Sequence, residues 1–305
     1  GNHNEHGGKG IMEELRKLAK ELLEKKEVAA VIGYQSVTDK RTKPIIAKTQ
    51  EDCDKLVFNE YCLNNLSVYL TKARIKELRR QNGIVLKLGI TAKPCDVHSI
   101  IALIQEAQLK REDVHIISFN CHGVVKDFGM EFNGETLASK CVPCDSHKPL
   151  YYDTVVGEIK ETPAVSDEVL EKIQAIEKMS AAERFEYFKS EFDKCIKCYA
   201  CRAACPMCYC QRCITDKTIP RWVESSPHSR GNFSWNVVRA FHLSGRCIGC
   251  GECERACPMD IPLSLLNRKM VIEAKEAYSY VVGRNLETPT LVGSFDVKDS
   301  DELFM

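Results

Sequence analysis

One spacing of cysteines occurs twice in the second half of the chain. Each copy reads Cys-x2-Cys-x2-Cys-x3-Cys-Pro, and the copies begin at Cys195 and Cys247. Bacterial-type ferredoxins bind two [4Fe-4S] clusters with this spacing, and the fourth cysteine of each run binds the cluster of the other run. The doubled pattern therefore predicts a domain in which two crossed runs hold two iron–sulfur cubes.

The crossed arrangement assigns a ligand set to each predicted cluster. The first cluster is expected to bind Cys195, Cys198, Cys201 and Cys257, and the second Cys247, Cys250, Cys253 and Cys205. Zinc is the first alternative, but structural zinc sites use two separated Cys-x2-Cys pairs rather than four thiols in one short run. Disulfides are the second, but they belong to exported chains, and nothing here resembles a signal peptide.

Charge and composition argue against some classes of binding partner and against a membrane span. Lys plus Arg and Asp plus Glu are both 43, so the net charge is zero and no nucleic-acid partner is indicated. No apolar run is long enough to cross a bilayer. The chain contains 17 cysteines and no export signal, which favours a reducing cytoplasm where thiols are available to metals. We therefore expect a cytoplasmic protein.

Hydrophobic patterning predicts the fold class. In the first 160 residues, helical spacing predicts helices at 11–26, 64–79 and 97–107, and β-type runs predict strands at 28–34, 44–47, 83–88 and 114–118. A strand, a helix and a strand in close succession form a βαβ unit, whose strands are parallel. We expect an α/β N-terminal domain with a mostly parallel sheet, followed by a helical two-cluster ferredoxin-like domain.

The same patterning gives the predicted domain boundaries. They are 1–27 for an N-terminal tail and helix, 28–160 for the α/β domain, 161–192 for linker helices, 193–282 for the two-cluster domain and 283–305 for a C-terminal tail.

Four more cysteines are expected at one edge of the predicted sheet. Cys95 follows one predicted strand, and Cys121 follows the next. The carboxyl ends of neighbouring parallel strands lie side by side, and ligand crevices form there. Cys141 and Cys144 form a Cys-x2-Cys turn shortly afterwards. Our hypothesis is a third [4Fe-4S] cluster bound by these four; the alternative is that Cys95 and Cys121 are ordinary buried thiols.

A further group of thiols directly follows the first run. Cys208, Cys210 and Cys213 stand within six residues of one another, and vicinal thiols left free are reactive, so we expect a metal site. A fourth cluster would need one more thiolate, from Cys62 or Cys53. A zinc ion or unligated thiols are the alternatives. Lys87 and Lys93 flank the predicted crevice and could hold an anion or neutralise cluster charge.

These residues resemble the beta subunit family of deazaflavin-reducing hydrogenase and formate dehydrogenase. The similarity rests on Lys-Pro-Cys-Asp-Val-His-Ser-Ile around Cys95, on Phe-Asn-Cys-His-Gly-Val around Cys121, and on the Cys-x2-Cys turn that precedes Pro149. It covers residues 28–160, and the two-cluster ferredoxin pattern follows at 190–275. This domain order is similar to that of family members found alongside heterodisulfide-reductase-type, hydrogenase or formate dehydrogenase subunits.

The resemblance implies cofactors and ligands for the first domain. In the family, the cysteines that match 95, 121, 141 and 144 hold a [4Fe-4S] cluster beside a flavin, here FAD. The segment 58–70 is also similar to the family, which favours Cys62 over Cys53 as the ligand that joins Cys208, Cys210 and Cys213 in a fourth cluster. The chain lacks a Gly-x-Gly-x-x-Gly dinucleotide fingerprint, so a domain that keeps the cluster and has lost the flavin is the alternative.

The predicted function is electron transfer. We expect an iron–sulfur subunit of a cytoplasmic multi-subunit oxidoreductase complex of hydrogenase, formate dehydrogenase or heterodisulfide-reductase type. It would exchange electrons with other subunits or with ferredoxin. One alternative is a flavin-dependent enzyme that converts hydride from a deazaflavin or nicotinamide into single electrons. Another is a redox-sensing iron–sulfur protein, although no DNA-binding element accompanies the cysteines. No catalytic side chain is indicated, because the chemistry belongs to the cofactors.

Overall fold

The structure is a computed structural model that describes residues 5–81, 83–157, 161–295 and 297–298. The chain divides into two compact units, Gly1–Asp167 and Glu168–Met305. Each unit has its own apolar core.

The first unit alternates helices with strands. Its helices are α1 (Glu5–Glu24), α2 (Gln50–Cys53), α3 (Ala73–Glu77) and α4 (Pro94–Gln105). Its strands are β1 (Val28–Thr38), β2 (Arg41–Ala47), β3 (Leu56–Val57), β4 (Arg80–Gln81), β5 (Ile84–Val85), β6 (Lys87–Ala92), β7 (Val114–Phe119) and β8 (Thr154–Val156).

One six-stranded sheet organises this unit. Its order is β2-β1-β6-β7-β8, with β3 paired to β1. Strands β1, β6, β7 and β8 run parallel to one another, whereas β2 and β3 run antiparallel to β1. The predicted fold class, an α/β unit with a mostly parallel sheet, is confirmed.

The core of the first unit explains why these segments fold as they do. The first seven residues of β1 are all buried, as expected for a central strand covered on both faces. Leu15 and Leu22 of α1 pack against Val31 of β1 and Phe119 of β7. Helix α4 contacts β6 and β7, so it closes the βαβ unit predicted from the sequence.

Three predicted elements differ from the structure. The helix expected over 64–79 is wrong: the segment holds a 3-10 turn at Leu66–Tyr69 and the short helix α3. The Asn65 side chain accepts hydrogen bonds from the backbone and hydroxyl of Ser67, and such local bonds compete with a continuous helix. The strand expected over 83–88 is divided between β5, which pairs with β4, and β6, which joins the main sheet. The helix expected from residue 97 begins earlier, at Pro94, a residue well suited to a first helical position.

The second unit is helical, as predicted. Its helices are α5 (Glu168–Glu177), α6 (Ala181–Asp193), α7 (Ala200–Ala204), α8 (Ser229–His242), α9 (Glu252–Arg255) and α10 (Leu263–Tyr278). Ser180 and Glu183 form a capping box at the start of α6. This capping box fixes where α6 begins after the turn that follows α5. The core places Phe192, Trp235 and Ile261 around the thiols of Cys201 and Cys253. No helix in the described part of the chain is both long and apolar enough to cross a membrane.

The central position of β1 predicts a contrast between two valines on that strand. Val31→Ala removes two fully buried methyl groups, whereas Val37 is 51% exposed. We expect Val31→Ala to lower the free energy of unfolding by about 2 kcal/mol, from lost burial plus a cavity. Val37→Ala should change it by less than about 0.5 kcal/mol. Urea unfolding of the full chain measures both, and equal losses would contradict the placement of β1.

Candidate iron–sulfur sites

The two cysteine runs of the second unit have the same backbone conformation. The second residue after the first cysteine is Lys197 in one run and Gly249 in the other, with φ of 58° and 73°. The fourth residue is Tyr199 or Gly251, with φ of 58° and 69°. All four residues have a left-handed backbone conformation, which residues other than glycine seldom adopt. The first run therefore forms the same loop as the second without its glycines.

These loops place backbone amides close to cysteine sulfur atoms. The amide of Lys197 lies 3.5 Å from Cys195 Sγ, and the amide of Gly249 lies 3.4 Å from Cys247 Sγ. Asn267 Nδ2 also donates to Cys253 Sγ at 3.4 Å. Such hydrogen bonds favour the thiolate over the thiol, and in iron–sulfur proteins they contribute to the potential of the cluster.

The correspondence continues past each loop. Helices α7 and α9 begin after the left-handed residues Tyr199 and Gly251 and contact each other. The amide of Cys208 then donates to the carbonyl of Cys205, as the amide of Asp260 does to that of Cys257. Cys208 therefore occupies the position that Asp260 has in the second run.

The structure brings thiols of the two runs together. Burial raises the pKa of Cys253 to about 12, and the nearby thiols of Cys205 and Cys247 act in the same direction. Burial likewise raises the pKa of Cys247 to about 11, with Cys205 adding to it. Thus the fourth cysteine of the first run lies beside cysteines of the second, as a crossed ligand set requires.

The thiols assigned to the first cluster differ in exposure. Cys195, Cys201 and Cys257 all contact the apolar core of the unit, and burial raises the pKa of Cys201 to about 11. Cys198 is exposed. The first predicted site therefore opens to solvent on one side.

One buried side chain near the cysteine runs was not singled out from the sequence. Arg239 of α8 is only 3% exposed and lies among the thiols of both runs. Arg239 is near cysteines that are distant from it in the sequence, and such contacts leave no local sequence pattern. No signal in the sequence would therefore have identified it.

The three thiols after the first run face different neighbours. A hydrogen bond with Cys205 lowers the pKa of Cys208 and raises that of Cys205. For Cys213, hydrogen bonds from Thr215 and Arg202 outweigh burial, so its pKa is lowered. Cys210 is exposed. Their assignment to a fourth cluster stays a prediction.

In the first unit, the strands place two cysteines at the same sheet edge. Cys95 follows β6 as the second residue of α4, and Cys121 follows the neighbouring parallel strand β7. Cys141 ends a 3-10 turn, and the amide of Cys144 donates to its carbonyl at 3.3 Å. The order of elements is the one that the sequence predicted for this crevice.

The four thiols of this crevice are close enough to influence one another. Burial raises the pKa of Cys121 to about 11, the amide of Gly123 opposes it, and the thiols of Cys141 and Cys144 add to it. Burial and then Asp96 raise the pKa of Cys95 well above its usual range, with a smaller contribution from Cys121. The four side chains therefore form one group of poorly solvated sulfur atoms.

A buried ion pair supports the crevice from behind. Lys93 is 1% exposed, and its Nζ lies 2.6 Å from Asp96 Oδ2. The same nitrogen donates to Tyr34 Oη at 2.8 Å and to the carbonyls of Cys62 and Asn64 at 2.8 and 2.9 Å. Burial alone would lower the pKa of Lys93, but Asp96 and Cys95 raise it, so the cation is retained. Through this ion pair and three hydrogen bonds, Lys93 fixes the chain beside Cys95.

The two remaining cysteines are both in the interior of the first unit. Cys53 packs in the apolar core, and burial raises its pKa to about 11. Cys62 accepts a hydrogen bond from the amide of Asn59 at 3.4 Å, and burial raises its pKa to about 12. Cys62 belongs to the first unit and the 208–213 thiols to the second, so the predicted four-ligand set stays a prediction.

The donor set fits iron–sulfur clusters in its chemistry. All 17 cysteines are free thiols, and most are buried or half-buried. In the part of the chain that is described, no three His, Cys, Asp or Glu side chains are arranged to hold a single metal ion. A cube places each thiolate on a different iron, so its ligands stand further apart than those of one ion. Grouped thiols in apolar surroundings with amide donors are the environment that cubes need.

Comparison with known proteins agrees with this chemistry. A family model described as a 4Fe-4S dicluster domain matches residues 194–262. An F420-dependent formate dehydrogenase subunit beta from Methanocaldococcus jannaschii is 27% identical over 290 aligned residues, which cover 67% of this chain and 76% of the relative. An F420-dependent formate dehydrogenase 1 subunit beta from Methanococcus maripaludis is 23% identical over 296 residues, covering 68% and 76%.

A solved structure also shows weak similarity. The xenon-derivatised F420-reducing [NiFe] hydrogenase complex from Methanosarcina barkeri matches 38% of this chain and 42% of that chain at 20% identity, with a TM-score of 0.28, which is too low to support any argument.

The curated relatives and the dicluster match confirm the resemblance predicted from the sequence. The chain is an iron–sulfur electron-transfer protein related to formate dehydrogenase beta subunits.

The grouping of thiols in the first unit predicts the result of removing one of them. Cys95→Ala should lower the iron content of the anaerobically purified chain by about four irons, one cube. Cys53→Ala is the matched control, because Cys53 lies in the apolar core, and its iron content should equal that of the unsubstituted chain. Unchanged iron in Cys95→Ala would show that the crevice thiols are structural.

The shared loop conformation predicts how the second run tolerates substitution. Gly251→Ala introduces a Cβ into open space at φ 69°, where strain alone should cost about 1 kcal/mol. Iron content should not change, because Tyr199 has the same conformation in the first run. At Gly245, also left-handed, a Cβ would lie 2.8 Å from Leu291 Cβ, so Gly245→Ala should be the more destabilising. Urea unfolding distinguishes them, and the reverse order would contradict the loop geometry.

Proposed function

We propose that this chain is the electron-transfer subunit of a cytoplasmic multi-subunit oxidoreductase complex. It passes single electrons along several [4Fe-4S] clusters to other subunits. The complex is of hydrogenase, formate dehydrogenase or heterodisulfide-reductase type, and ferredoxin is the soluble carrier that suits such clusters. The dicluster match and the names of the two beta-subunit relatives support this proposal.

The observation that carries the proposal is the closeness of the two cysteine runs in one apolar core. Cys201 and Cys253 belong to different runs, yet charge on Cys253 raises the pKa of Cys201. Both thiols pack in the same apolar cluster of side chains. Because the probability of electron tunnelling falls steeply with distance, adjacent redox centres in one dry core suit transfer between them.

The residues that would hold the clusters are those of the crossed sets. One set is Cys195, Cys198, Cys201 and Cys257, and the other is Cys247, Cys250, Cys253 and Cys205. When bound, the clusters supply one-electron redox chemistry. The chain excludes water with Phe192, Trp235 and Ile261, and it stabilises thiolate charge with the loop amides and with Asn267.

Exposure suggests where electrons enter or leave the second unit. Cys198 is exposed, whereas its counterpart Cys250 is half-buried. Ile196, two residues before Cys198, is also an exposed apolar side chain. A partner that docks at this loop reaches the first predicted cluster most directly.

The first unit extends the proposal to more clusters. We assign a third cube to Cys95, Cys121, Cys141 and Cys144, whose thiols are grouped at the edge of the sheet. A fourth, on Cys62, Cys208, Cys210 and Cys213, remains part of the proposal as predicted from the sequence.

A second candidate function has one observation in its favour. The names of both relatives include F420, a deazaflavin that carries hydride, and clusters accept only single electrons. A protein that joins the two needs a flavin such as FAD to divide the electron pair. In this version the chain is a flavin-dependent oxidoreductase. Flavin released into the supernatant by acid, and seen in its visible spectrum, would favour it over electron transfer alone.

The first test is the iron and acid-labile sulfide content of the anaerobically purified chain. We expect about 16 irons per chain, equivalent to four cubes, and EPR signals that appear on reduction. About 8 irons would confine the cubes to the second unit and remove the first unit from the electron path. A chain without labile sulfide, or with clusters that cannot be reduced and reoxidised, would contradict the proposed function.

A further inference from the structure

A single buried arginine lies among the thiols of both cysteine runs. Arg239 is on α8, in the segment that separates the two runs, and is 3% exposed. Its Nη2 donates to the carbonyl of Cys201 at 3.3 Å. The guanidinium is therefore inside the core of the unit rather than at its surface.

The surroundings of Arg239 are dominated by sulfur. Burial alone would lower its pKa, but the thiols of Cys253, Cys205, Cys208 and Cys201 outweigh burial and raise it. The guanidinium in turn opposes the effect of burial on the pKa of Cys253, and it adds to the hydrogen bond from Cys205 that lowers the pKa of Cys208. Cys253 and Cys205 belong to the second proposed cluster and Cys201 to the first, so the cation faces ligands of both sets.

Among the residues that the structure describes, no carboxylate is paired with this cation. Within the described residues, the structure contains no ion pair between Arg239 and an Asp or Glu, and Arg239 Nε is buried without a hydrogen-bond partner. An arginine does not lose its proton in a protein, and an uncompensated buried charge is strongly destabilising. The site therefore requires negative charge beside Arg239, which ligand thiolates would supply.

Helix α8 holds the arginine in a fixed position. Asn232 Nδ2 donates to the carbonyl of Cys195 at 2.8 Å, and Trp235 packs edge-to-face against Tyr199 in the first loop. Asn236 Nδ2 donates to the carbonyl of Asn232 at 2.9 Å. The face of α8 that carries Arg239 is thus tied to the first run, so the side chain cannot turn out to solvent without disrupting these contacts.

We propose that Arg239 raises the reduction potentials of both clusters. This inference rests on the proposed function. Arg239 attracts the extra negative charge that one added electron brings, and the attraction is lost when the electron moves to the next carrier. No bond forms or breaks, and no proton moves.

The size of the effect follows from Coulomb attraction in a protein interior. A unit charge several ångströms from a cluster, in surroundings of intermediate dielectric constant, changes the equilibrium constant for reduction by about tenfold or more. Salt screens a buried charge only weakly, so the effect should persist at high ionic strength.

The test is an EPR-monitored redox titration of the iron-loaded chain and three variants. Arg239→Gln should lower the equilibrium constant for reduction of each cluster about tenfold, equal to about 59 mV for one electron. Arg239→Lys keeps the charge and should recover most of the potential. Arg230→Gln is the matched control, since Arg230 is on the same helix but exposed, and both potentials should match those of the unsubstituted chain.

Each other outcome also decides the question. Unchanged potentials in Arg239→Gln, or equal shifts in the Gln and Lys variants, would overturn the proposal. If the Gln variant folds by circular dichroism but loses iron while the Lys variant retains it, the Lys variant decides: potentials close to those of the unsubstituted chain support the proposal, and a tenfold fall in the equilibrium constant for reduction overturns it. If both fold and both lose iron, the role is steric and the proposal fails. If the unsubstituted chain binds no iron, the proposed function fails instead.

Discussion

Both units hold groups of cysteine sulfur atoms away from water, and the rest of each unit depends on how the charge of their thiolates is compensated. An ionised group in an apolar core is costly unless it is paired and hydrogen-bonded, and burial raises the pKa of Cys121, Cys201, Cys247 and Cys253. In the absence of metal these groups are stable as thiols. Their grouping becomes favourable as thiolates only when iron and nearby donors compensate the charge, so the fold is a scaffold that requires its cofactors.

The two units place different cations beside these thiols. In the first, Lys93 is paired with Asp96 and held by neutral acceptors, so the pair is neutral and fixes geometry more than it supplies field. In the second, Arg239 has no carboxylate partner among the described residues, and it faces thiols directly. A neutral ion pair has little effect on the reduction potential of a neighbouring cluster. An unpaired cation raises that reduction potential.

How far the sequence predicts this arrangement depends on whether the signal is local. The cysteine spacing and the βαβ pattern are local, so the dicluster domain and the mostly parallel sheet were both predicted correctly. The helix expected over 64–79 failed because Asn65 and Ser67 bond to each other and to Ser99 of α4, a residue distant in the sequence. Arg239 could not be found for the same reason.

The first loop shows how a departure from the expected pattern can be compensated. The second run uses glycines at its left-handed positions, whereas the first places Lys197 and Tyr199 there, at a conformational cost. The Nζ of Lys197 donates to the carbonyls of Glu224 and Gly231 at 2.8 and 2.7 Å, and the Tyr199 ring packs on that of Trp235. Both contacts join the loop to the segment that carries Arg239. The side chains that strain the first loop thus also attach it to the helix that places a cation among the thiols.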